Sequence, residues 1–441
     1  MTDIAPFRAL RYDPQRVPLD RVVTQPYDKI TPAMQEDYYS ASPYNLVRVI
    51  LGKSQPGDSE GSNTYSRAAA NFQNWRKDGV LSQDSEPSLY RYTQTFHVPA
   101  SAVGRTGEQR VELERVGFIG AGRIHDYSDQ VVFRHEQTLS KPKNDRLNLL
   151  RATRAHFGQI FMLYSDTSSS VDSVLGTSSA PDACVTDEYG VVHRLWRVSD
   201  SAAIRLVQQK MGDKKLIIAD GHHRYETALN YRNERRSAAG SAEPNASYER
   251  VMMTFVNMDA PGLVILPTHR VVFGLKSFDL ASLLSATQPY FETVTLDNSA
   301  SLESSLVRLQ EEGRSGSSLL ITTKQANLIL RARPAAADAL LPQYTSAQRQ
   351  LDVVQLHKVL LEKVLGLSEE SIRNQENLAY VREAAEALER VHHGEAQIAF
   401  LMNPCRMEQV RDIAFAGGVL PQKSTDFYPK LLSGLTIYSL D

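Results

Sequence analysis

The sequence predicts a mixed α/β protein of the α+β kind, and three observations support this fold class. Of its 441 residues, 42% are hydrophobic, enough to bury a large core. Short apolar runs such as "QIFMLY" (159–164) and "LIIA" (216–219) are typical of buried strands. Between such runs lie stretches with helical spacing, among them "SAAIRLVQQKMG" (201–212). Strands and helices of both kinds are therefore expected along most of the chain.

The first predicted region, residues 1–165, combines both element types. Its helices are predicted at "TYSRAAANFQNWRKDGVL" (64–81) and "DRLNLLRATRAHFG" (145–158), and its strands at "LYRYTQTFHV" (89–98) and "RVELERVGFIGAG" (110–122). A serine-rich stretch, residues 165–182, ends the region because apolar periodicity stops there.

The second predicted region, residues 183–236, begins with a hairpin, "VTDEYGVVHRLWRV". A helix, a short strand, a tight turn and a long helix follow it. A second break, "RSAAGSAEPNAS", separates it from a third region, residues 248–441, in which strands and helices alternate. These regions are expected to pack as one or two compact domains.

The charge balance excludes some classes of partner. Lys plus Arg number 49 and Asp plus Glu 51, a formal net charge of −2, so no overall positive field favours a nucleic acid. No run of about 18 apolar residues predicts a membrane span, and the N-terminus lacks the pattern of a signal peptide. The two cysteines form no metal or disulfide pattern. We therefore expect a cytoplasmic protein without a nucleic-acid or membrane partner.

The most informative stretch is "LIIADGHHRYETALNYRNE" (216–234), in which a strand leads through Asp220 and a glycine into a helix. The N-terminus of a helix attracts anions through its free N–H groups and its dipole. His222, His223 and Arg224 add charge-assisted donors, so phosphate is the expected ligand. Asp220 is expected near the helix cap and could hold Mg²⁺ together with phosphate oxygens. The alternative is an ordinary turn that caps a helix.

This stretch resembles the signature of a bacterial and archaeal family, the domain of unknown function 1015. Further segments match the family pattern in order: "PYDKI" (26–30), "SPYNLVRVIL" (42–51), "HEQTLSKPKNDRLNLLRAT" (135–153), "GLVILPTHRVV" (262–272) and "PQKSTDFYPKLLSGL" (421–435). The "DGHHR" piece alone also resembles the ParB and sulfiredoxin-like superfamily, including its free-serine kinases. That local resemblance implies a ParB-like phosphate-binding unit, and phosphoryl transfer from ATP, ADP or pyrophosphate to free L-serine.

Phosphoryl transfer requires phosphate ligands and a group that accepts the hydroxyl proton, and the matching segments offer both. Glu136 is the candidate general base, with Asp220 and His223 as further catalytic candidates. The candidate phosphate ligands outside the "DGHHR" piece are Lys143, Arg146, His269, Arg270, Lys423, Ser424 and Thr425. Arg146 is equally compatible with a first-turn helical position, and "THR" (268–270) with the polar face of an edge strand.

The N-terminal segments supply the candidate residues for the acceptor. Asp28 is a candidate for a metal or for the substrate amino group. Tyr44, Asn45 and Arg48 are candidates for substrate contacts, and Tyr44 and Arg48 are equally compatible with structural roles. Neither a P-loop nor a dinucleotide-binding glycine pattern occurs.

Three functions remain open on the sequence. The first is a small-molecule kinase that phosphorylates the hydroxyl of L-serine. The second is a non-catalytic, ParB-like nucleotide-binding switch, and the third is a metal-dependent phosphatase or hydrolase that uses the same site. The kinase hypothesis predicts that Lys143, Arg146, Arg224, His269, Arg270 and Lys423 converge on one cleft, because a polyphosphate needs several donors around it.

Overall fold

A computed structural model describes residues 1–98, 111–136, 141–176, 179–240, 243–297 and 300–441, with the side chains of residues 141–143 left out. Its strands are β1 (Ile4–Ala5), β2 (Leu10–Tyr12), β3 (Leu81–Gln83), β4 (Leu89–His97), β5 (Glu112–Arg123), β6 (Val132–Arg134), β7 (Ala155–His156), β8 (Ile160–Tyr164), β9 (Ala183–Thr186), β10 (Val192–Val198), β11 (Leu216–Asp220), β12 (Arg250–Asn257), β13 (Val264–Leu266), β14 (His269–Val272), β15 (Phe291–Thr295), β16 (Ser318–Thr322), β17 (Asn327–Ala332), β18 (Leu378–Val381), β19 (Ile398–Met402), β20 (Asp426–Tyr428) and β21 (Tyr438–Ser439).

The helices lie between and after these strands. They are α1 (Pro32–Ala41), α2 (Val47–Ile50), α3 (Thr64–Lys77), α4 (Lys141–Thr153), α5 (Ser170–Val174), α6 (Ser201–Met211), α7 (His222–Ala239), α8 (Leu280–Thr287), α9 (Leu302–Glu312), α10 (Pro334–Leu340), α11 (Ser346–Arg349), α12 (Asp352–Val354), α13 (Glu369–Asn374), α14 (Ala384–His392) and α15 (Met407–Phe415). A π-helical segment, Gln355–Val364, continues α12. The predicted mixed α/β class is confirmed.

The main sheet has nine strands, of which eight follow the order β6-β11-β8-β12-β5-β4-β10-β9, while β1 pairs with β5. Parallel pairs join β6 to β11 and β8 to β12, and the other pairs are antiparallel. All three predicted regions contribute strands to this sheet, so the boundaries between them stay a prediction. The hairpin strand β10 and the strand β11 of the second region are separated by four other strands in the order.

A second sheet has six strands in the order β15-β17-β16-β19-β14-β18, and all its pairs are antiparallel. A two-stranded ribbon of β13 and β20 comes from the two segments that flank most of this sheet in the sequence. One buried apolar cluster includes Phe161 and Ile217 of the main sheet together with Ile321 and Phe400 of the second sheet. The two sheets therefore share a core.

The other face of the main sheet is covered by helices. Ile204 and Val207 of α6 and Tyr225 of α7 are buried in one cluster with Ile218 and Phe255 of the sheet. The spacing of the apolar residues in α6 follows the helical period, which explains why the sequence predicts this helix. Among the described residues, none of the helices has both the length and the apolar character that crossing a membrane requires.

Candidate functional site

The candidate site forms where two parallel strands end side by side. Strands β6 and β11 run parallel with Ile218 opposite Arg134, so their carboxyl ends point to the same edge of the sheet. Asp220 ends β11, and Glu136 lies two residues beyond β6. Ligand sites in such sheets commonly lie outside the carboxyl ends of strands. The pairing thus brings together two carboxylates that are 84 positions apart in the sequence.

Helix α7 begins at this edge with an open N-terminus. Gly221 takes the cap position in the left-handed conformation, with φ of 94°, and no side chain caps the helix. Asp220 lies next to this cap position, as predicted, and its carboxylate binds the side chains of Arg224 and Lys430. The first-turn N–H groups of α7 remain suited to an anion.

Asp220 is held by two cations. Its Oδ2 accepts a hydrogen bond from Nη2 of Arg224 at 2.7 Å, and its Oδ1 lies 3.5 Å from Nζ of Lys430. Burial alone would raise the pKa of Asp220, but Lys430 and Arg224 outweigh it and hold that pKa below its usual range. Asp220 therefore stays ionised at neutral pH.

Lys430 also binds a second carboxylate. Its Nζ lies 3.0 Å from Oδ1 of Asp426, and Arg382 donates to Oδ2 of the same carboxylate at 2.7 Å. Burial opposes the charge on Lys430, yet Asp220 and Asp426 together raise its pKa. Lys430 thus fixes the C-terminal segment against the end of β11.

These groups line one cleft with a volume of about 260 Å³. Its lining comprises Asp28, Lys29, Glu136, Ala219, Asp220, His222, Thr268, Tyr380, Arg382, Lys423, Thr425, Asp426 and Lys430. Arg382 and Lys430 are committed to carboxylates, whereas Lys29 has its nearest carboxylate, Asp426, at 3.9 Å. Burial and the neighbouring Lys430 lower the pKa of Lys29. Lys29 and Lys423 are therefore the ammonium groups best placed to meet an anion in the cleft.

Glu136 lies where burial raises its pKa. Its Oε1 accepts the backbone N–H of Lys423 at 2.8 Å. Burial raises the pKa of Glu136, while Lys423 acts in the opposite direction. A carboxylate with a raised pKa accepts a proton more readily than an ordinary one, and general bases are tuned in this way.

Two histidines stand beside Glu136. His135 is buried, and burial lowers its pKa to about 4, so it is neutral. Its Nδ1 donates to the carbonyl of Ile218 at 2.7 Å, and its Nε2 therefore accepts the hydroxyl proton of Thr425 at 2.7 Å. His222 lies 5.0 Å from it, ring to ring, and the buried Nε2 of His222 has no hydrogen-bond partner among the described residues. His222 also lines the cleft.

Several predicted phosphate ligands position the loop instead of lining the cleft. Arg270 is 1% exposed, and its Nη2 donates to the carbonyls of Gln422 and Lys423 at 3.2 and 3.0 Å. His269, also 1% exposed, accepts the backbone N–H of Met402 at 3.2 Å. Ser424 donates to the carbonyl of Pro421 at 2.5 Å. Arg270 thus holds the loop that carries Lys423 and Thr425, whereas His269 bonds to β19 and Thr268 lines the cleft.

Arg146 and Arg224 line an adjacent, smaller cavity together with Tyr27. The guanidinium of Arg146 lies 4.2 Å from the centre of the Tyr27 ring and is bound to Asp145. The side chain of Lys143 lies outside the described residues. The predicted convergence on one cleft is therefore wrong for Arg146, His269 and Arg270, none of which lines it. Of the six predicted side chains, Lys423 alone lines the cleft within the described part of the chain, and Arg224 contacts it indirectly through Asp220.

The residues predicted to contact the acceptor substrate also divide into those that line the cleft and those that do not. Asp28 lines the cleft. Asn45 bonds locally, with its Oδ1 accepting the N–H of Val47 and its Nδ2 donating to the carbonyl of Arg21. Arg48 donates to the carbonyl of Tyr39, and Tyr44 packs edge-on against Trp75. These three do not line the cleft, and His223, on the first turn of α7, does not line it either. The contacts of Tyr44, Asn45 and Arg48 are therefore structural.

Five residues that line the cleft had no predicted role: Lys29, Tyr380, Arg382, Asp426 and Lys430. Lys29 lies in "PYDKI", and Asp426 and Lys430 lie in "PQKSTDFYPKLLSGL", so the matching segments contained them. Tyr380 and Arg382 belong to no segment that stood out. What marks these residues is the pairing of buried charges. This pairing depends on tertiary contacts, so the sequence does not show it.

The side chains of the cleft could supply part of a ligand set for a magnesium ion. Among the described residues, no group of three or more His, Cys, Asp or Glu side chains is arranged to hold a metal. Mg²⁺ commonly needs only one or two carboxylates when it arrives with phosphate oxygens. The carboxylate of Asp220, whose oxygens each contact one cation, fits such a partial ligand set.

A known protein family matches most of the chain. The family described as "Protein of unknown function (DUF1015)" matches residues 4–354. The chain belongs to this family. Among curated proteins, none matches the sequence. The DUF1015 family thus confirms the resemblance seen in the separate sequence segments.

Three solved structures show how the DUF1015 chain compares in three dimensions. A conserved hypothetical protein from Pyrococcus furiosus has a TM-score of 0.35 and 12% identity, covering 69% of this chain and 91% of its own. A free serine kinase in complex with AMP has a TM-score of 0.34 and 14% identity, covering 69% and 89%. SbnI with a C-terminal truncation, from Staphylococcus aureus, has a TM-score of 0.35 and 9% identity, covering 71% and 85%.

Gly221 provides a test of the helix N-terminus. A Cβ at this position would approach the guanidinium of Arg224 at 3.1 Å, and φ is 94°. Gly221→Ala should therefore cost about 1–3 kcal/mol of unfolding free energy in urea denaturation and weaken ADP binding in calorimetry. Gly240→Ala is the matched control, since Gly240 ends the same helix with φ of 70° and nothing within 4 Å. Equal ADP affinity in the two variants would contradict a role for this turn in binding.

Buried neutral histidines predict a pH dependence of stability. Burial lowers the pKa of His135 and His156 to about 4 and that of His269 to about 3. The unfolded chain, with histidine pKa values of about 6.5, binds more protons than the folded protein between these limits. The free energy of unfolding should therefore fall as the pH drops from about 6.5 to 4.

Urea denaturation at pH 7 and pH 5 measures this effect. His269→Asn, which keeps an acceptor for the N–H of Met402, should weaken the dependence, whereas His392→Asn at an exposed position should leave it unchanged. If the free energy of unfolding changes by the same amount between pH 7 and pH 5 in the wild type and in His269→Asn, then His269 does not contribute to the pH dependence.

Proposed function

We propose that the protein is a small-molecule kinase that transfers a phosphoryl group from ATP, ADP or pyrophosphate to the hydroxyl of free L-serine. The observation that carries the proposal is a single cleft lined by Lys29, Lys423, Glu136 and His222, the first residue of the uncapped helix α7. An anion site and a carboxylate with a raised pKa are the two parts that phosphoryl transfer needs. The resemblance of "DGHHR" to free-serine kinases supports serine as the acceptor.

The donor phosphates bind at the helix N-terminus in this proposal. The first-turn N–H groups of α7 and the ammonium groups of Lys29 and Lys423 neutralise their charge. His222 contributes through its buried Nε2. Arg224 acts indirectly, because its guanidinium holds Asp220 and the carbonyl of Gln159 and thereby shapes the turn.

Glu136 serves the acceptor. As the serine Oγ forms its bond to phosphorus, the bond from phosphorus to the bridging oxygen of the donor breaks, and the donor leaves as ADP, AMP or phosphate. The hydroxyl proton passes to the carboxylate of Glu136. The backbone N–H of Lys423 orients that carboxylate from the other side. Asp28, on the cleft wall, pairs with the ammonium group of serine.

Asp220 would hold Mg²⁺ brought by the donor phosphates, and the ion would supply charge neutralisation on those phosphates. The protein's own contribution is to keep Asp220 ionised. Lys430 and Arg224 do so by lowering its pKa.

The proposal is tested by incubating the purified protein with L-serine, Mg²⁺ and, in separate reactions, ATP, ADP and pyrophosphate. Mass spectrometry should detect O-phosphoserine with at least one donor. Tyr44→Phe is a suitable control, because Tyr44 lies outside the cleft, and it should retain the activity. A protein that binds a donor but makes no phosphoserine would overturn the kinase proposal in favour of the nucleotide switch. Hydrolysis of the donor at the same rate without serine would favour a phosphatase.

A further inference from the structure

A second polar cavity lies in the C-terminal half of the chain, with a volume of about 350 Å³. It forms where β19 ends at Met402 and where α9 ends at Glu312. The lining comprises Gln310, Gly313, Arg314, Ser315, Gly316, Gln350, Leu351, Asp352, Asn403, Pro404, Cys405, Arg406 and Gln409. Among the described residues, none lines both this cavity and the cleft that contains Asp220 and Glu136, so the two are distinct.

The charged groups of the cavity are of both signs. Arg314 and Arg406 are exposed, and neither guanidinium is paired with a carboxylate among the residues that the structure describes. Asp352 is half-buried, and its Oδ1 accepts the N–H of Ser318 at 3.1 Å. Its Oδ2 accepts from Nδ2 of Asn403 at 3.2 Å.

The cavity is built by specific packing. Asn403 bonds to both Asp352 and the hydroxyl of Ser318, which joins the end of β19 to β16 and to the start of α12. Gly313 allows this arrangement, because a Cβ there would meet Nδ2 of Asn403 at 2.4 Å. Burial raises the pKa of Asp352 to about 6, while the hydrogen bonds from Ser318 and Asn403 act in the opposite direction.

We propose that this cavity binds a free α-amino acid. The carboxylate of such a ligand would pair with Arg314 and Arg406, and its ammonium group with Asp352. A polyanion would be repelled by Asp352 and a simple cation by the two arginines, whereas a zwitterion complements both. Three glutamines, Gln310, Gln350 and Gln409, offer amide groups to a polar side chain of the ligand.

Calorimetric titration of the full chain with each proteinogenic L-amino acid tests the proposal. At least one should bind the wild type, and it should bind the Arg314→Ala/Arg406→Ala variant about tenfold or more weakly, because the charge-assisted contacts are lost. Arg205→Ala/Arg235→Ala is the matched control, with two exposed arginines on α6 and α7, and should bind like the wild type. Both variants change exposed side chains, so folding should be preserved.

Binding at the cleft that contains Asp220 and Glu136 is distinguished by the Asp28→Asn variant, because Asp28 is the residue proposed to pair with the ammonium group of serine there. An amino acid bound in the second cavity should bind Asp28→Asn as it binds the wild type. The proposal is overturned if no amino acid binds, if binding survives the removal of Arg314 and Arg406, or if it is lost in Asp28→Asn. The result does not depend on whether the protein makes phosphoserine.

Discussion

Replacing Glu136 by Gln should lower the rate of phosphoserine formation by about 10²–10⁴-fold, the usual range for a lost general base. The amide keeps the shape of the side chain and can still accept the N–H of Lys423, so donor binding should change little. Turnover falls because the amide cannot take up the serine proton. Steady-state kinetics should therefore show a loss in kcat with little change in the KM of the donor.

Glu36→Gln is the matched control for this variant. Glu36 is 66% exposed, pairs with Lys53 at 2.6 Å and does not line the cleft. It should retain nearly the full rate. Full activity of Glu136→Gln would remove Glu136 from the role and move it to Asp28, the other carboxylate of the cleft that makes no close ion pair.

Replacing Lys430 by Met should reduce the free energy of unfolding by about 3–5 kcal/mol, the usual cost of breaking a buried ion pair. Lys430 is 10% exposed and joins two carboxylates, so its loss leaves Asp220 and Asp426 close together with less neutralisation. The remaining partners, Arg224 and Arg382, each serve only one of the two. Urea denaturation at pH 7 measures the loss.

Lys77→Met, at an exposed position on α3, controls for the change of residue type and should cost little. The two carboxylates also predict the pH at which the unfolding free energies of the wild type and of Lys430→Met become equal. The folded protein holds the pKa of Asp220 and Asp426 below the unfolded value of about 3.9, so this stabilisation is present above pH 4 and is lost as the pH falls further. A loss in Lys430→Met no larger than that in Lys77→Met would contradict the role of Lys430.

Local pattern was sufficient to predict the turn that forms the site. The apolar run "LIIA", the glycine and the long helix are properties of neighbouring residues, and the structure has β11, Gly221 and α7 in that order. The position of Asp220 beside the cap was also predicted, but its partners were not. Its carboxylate is bound by Arg224, in the first turn of the same helix, and by Lys430, 210 residues further along the chain.

The long-range part of the site was predicted only in outline. Glu136, Asp220 and Lys423 do meet in one cleft, but sequence alone could not show that the register of β6 against β11 brings them together. Arg270 shows the limit most clearly. Its residue type suggests a phosphate ligand, yet the fold buries it and uses its guanidinium to hold the carbonyls of Gln422 and Lys423.

The central claim is that the donor phosphates bind at the start of α7, and crystal structures of the protein soaked with pyrophosphate and with ADP test it most directly. The phosphates should lie against the first-turn N–H groups of α7, within hydrogen-bonding distance of the ammonium groups of Lys29 and Lys423. Phosphates bound elsewhere, for example between Arg146 and Arg224 in the smaller cavity, or no bound phosphate at saturating concentration, would contradict the claim.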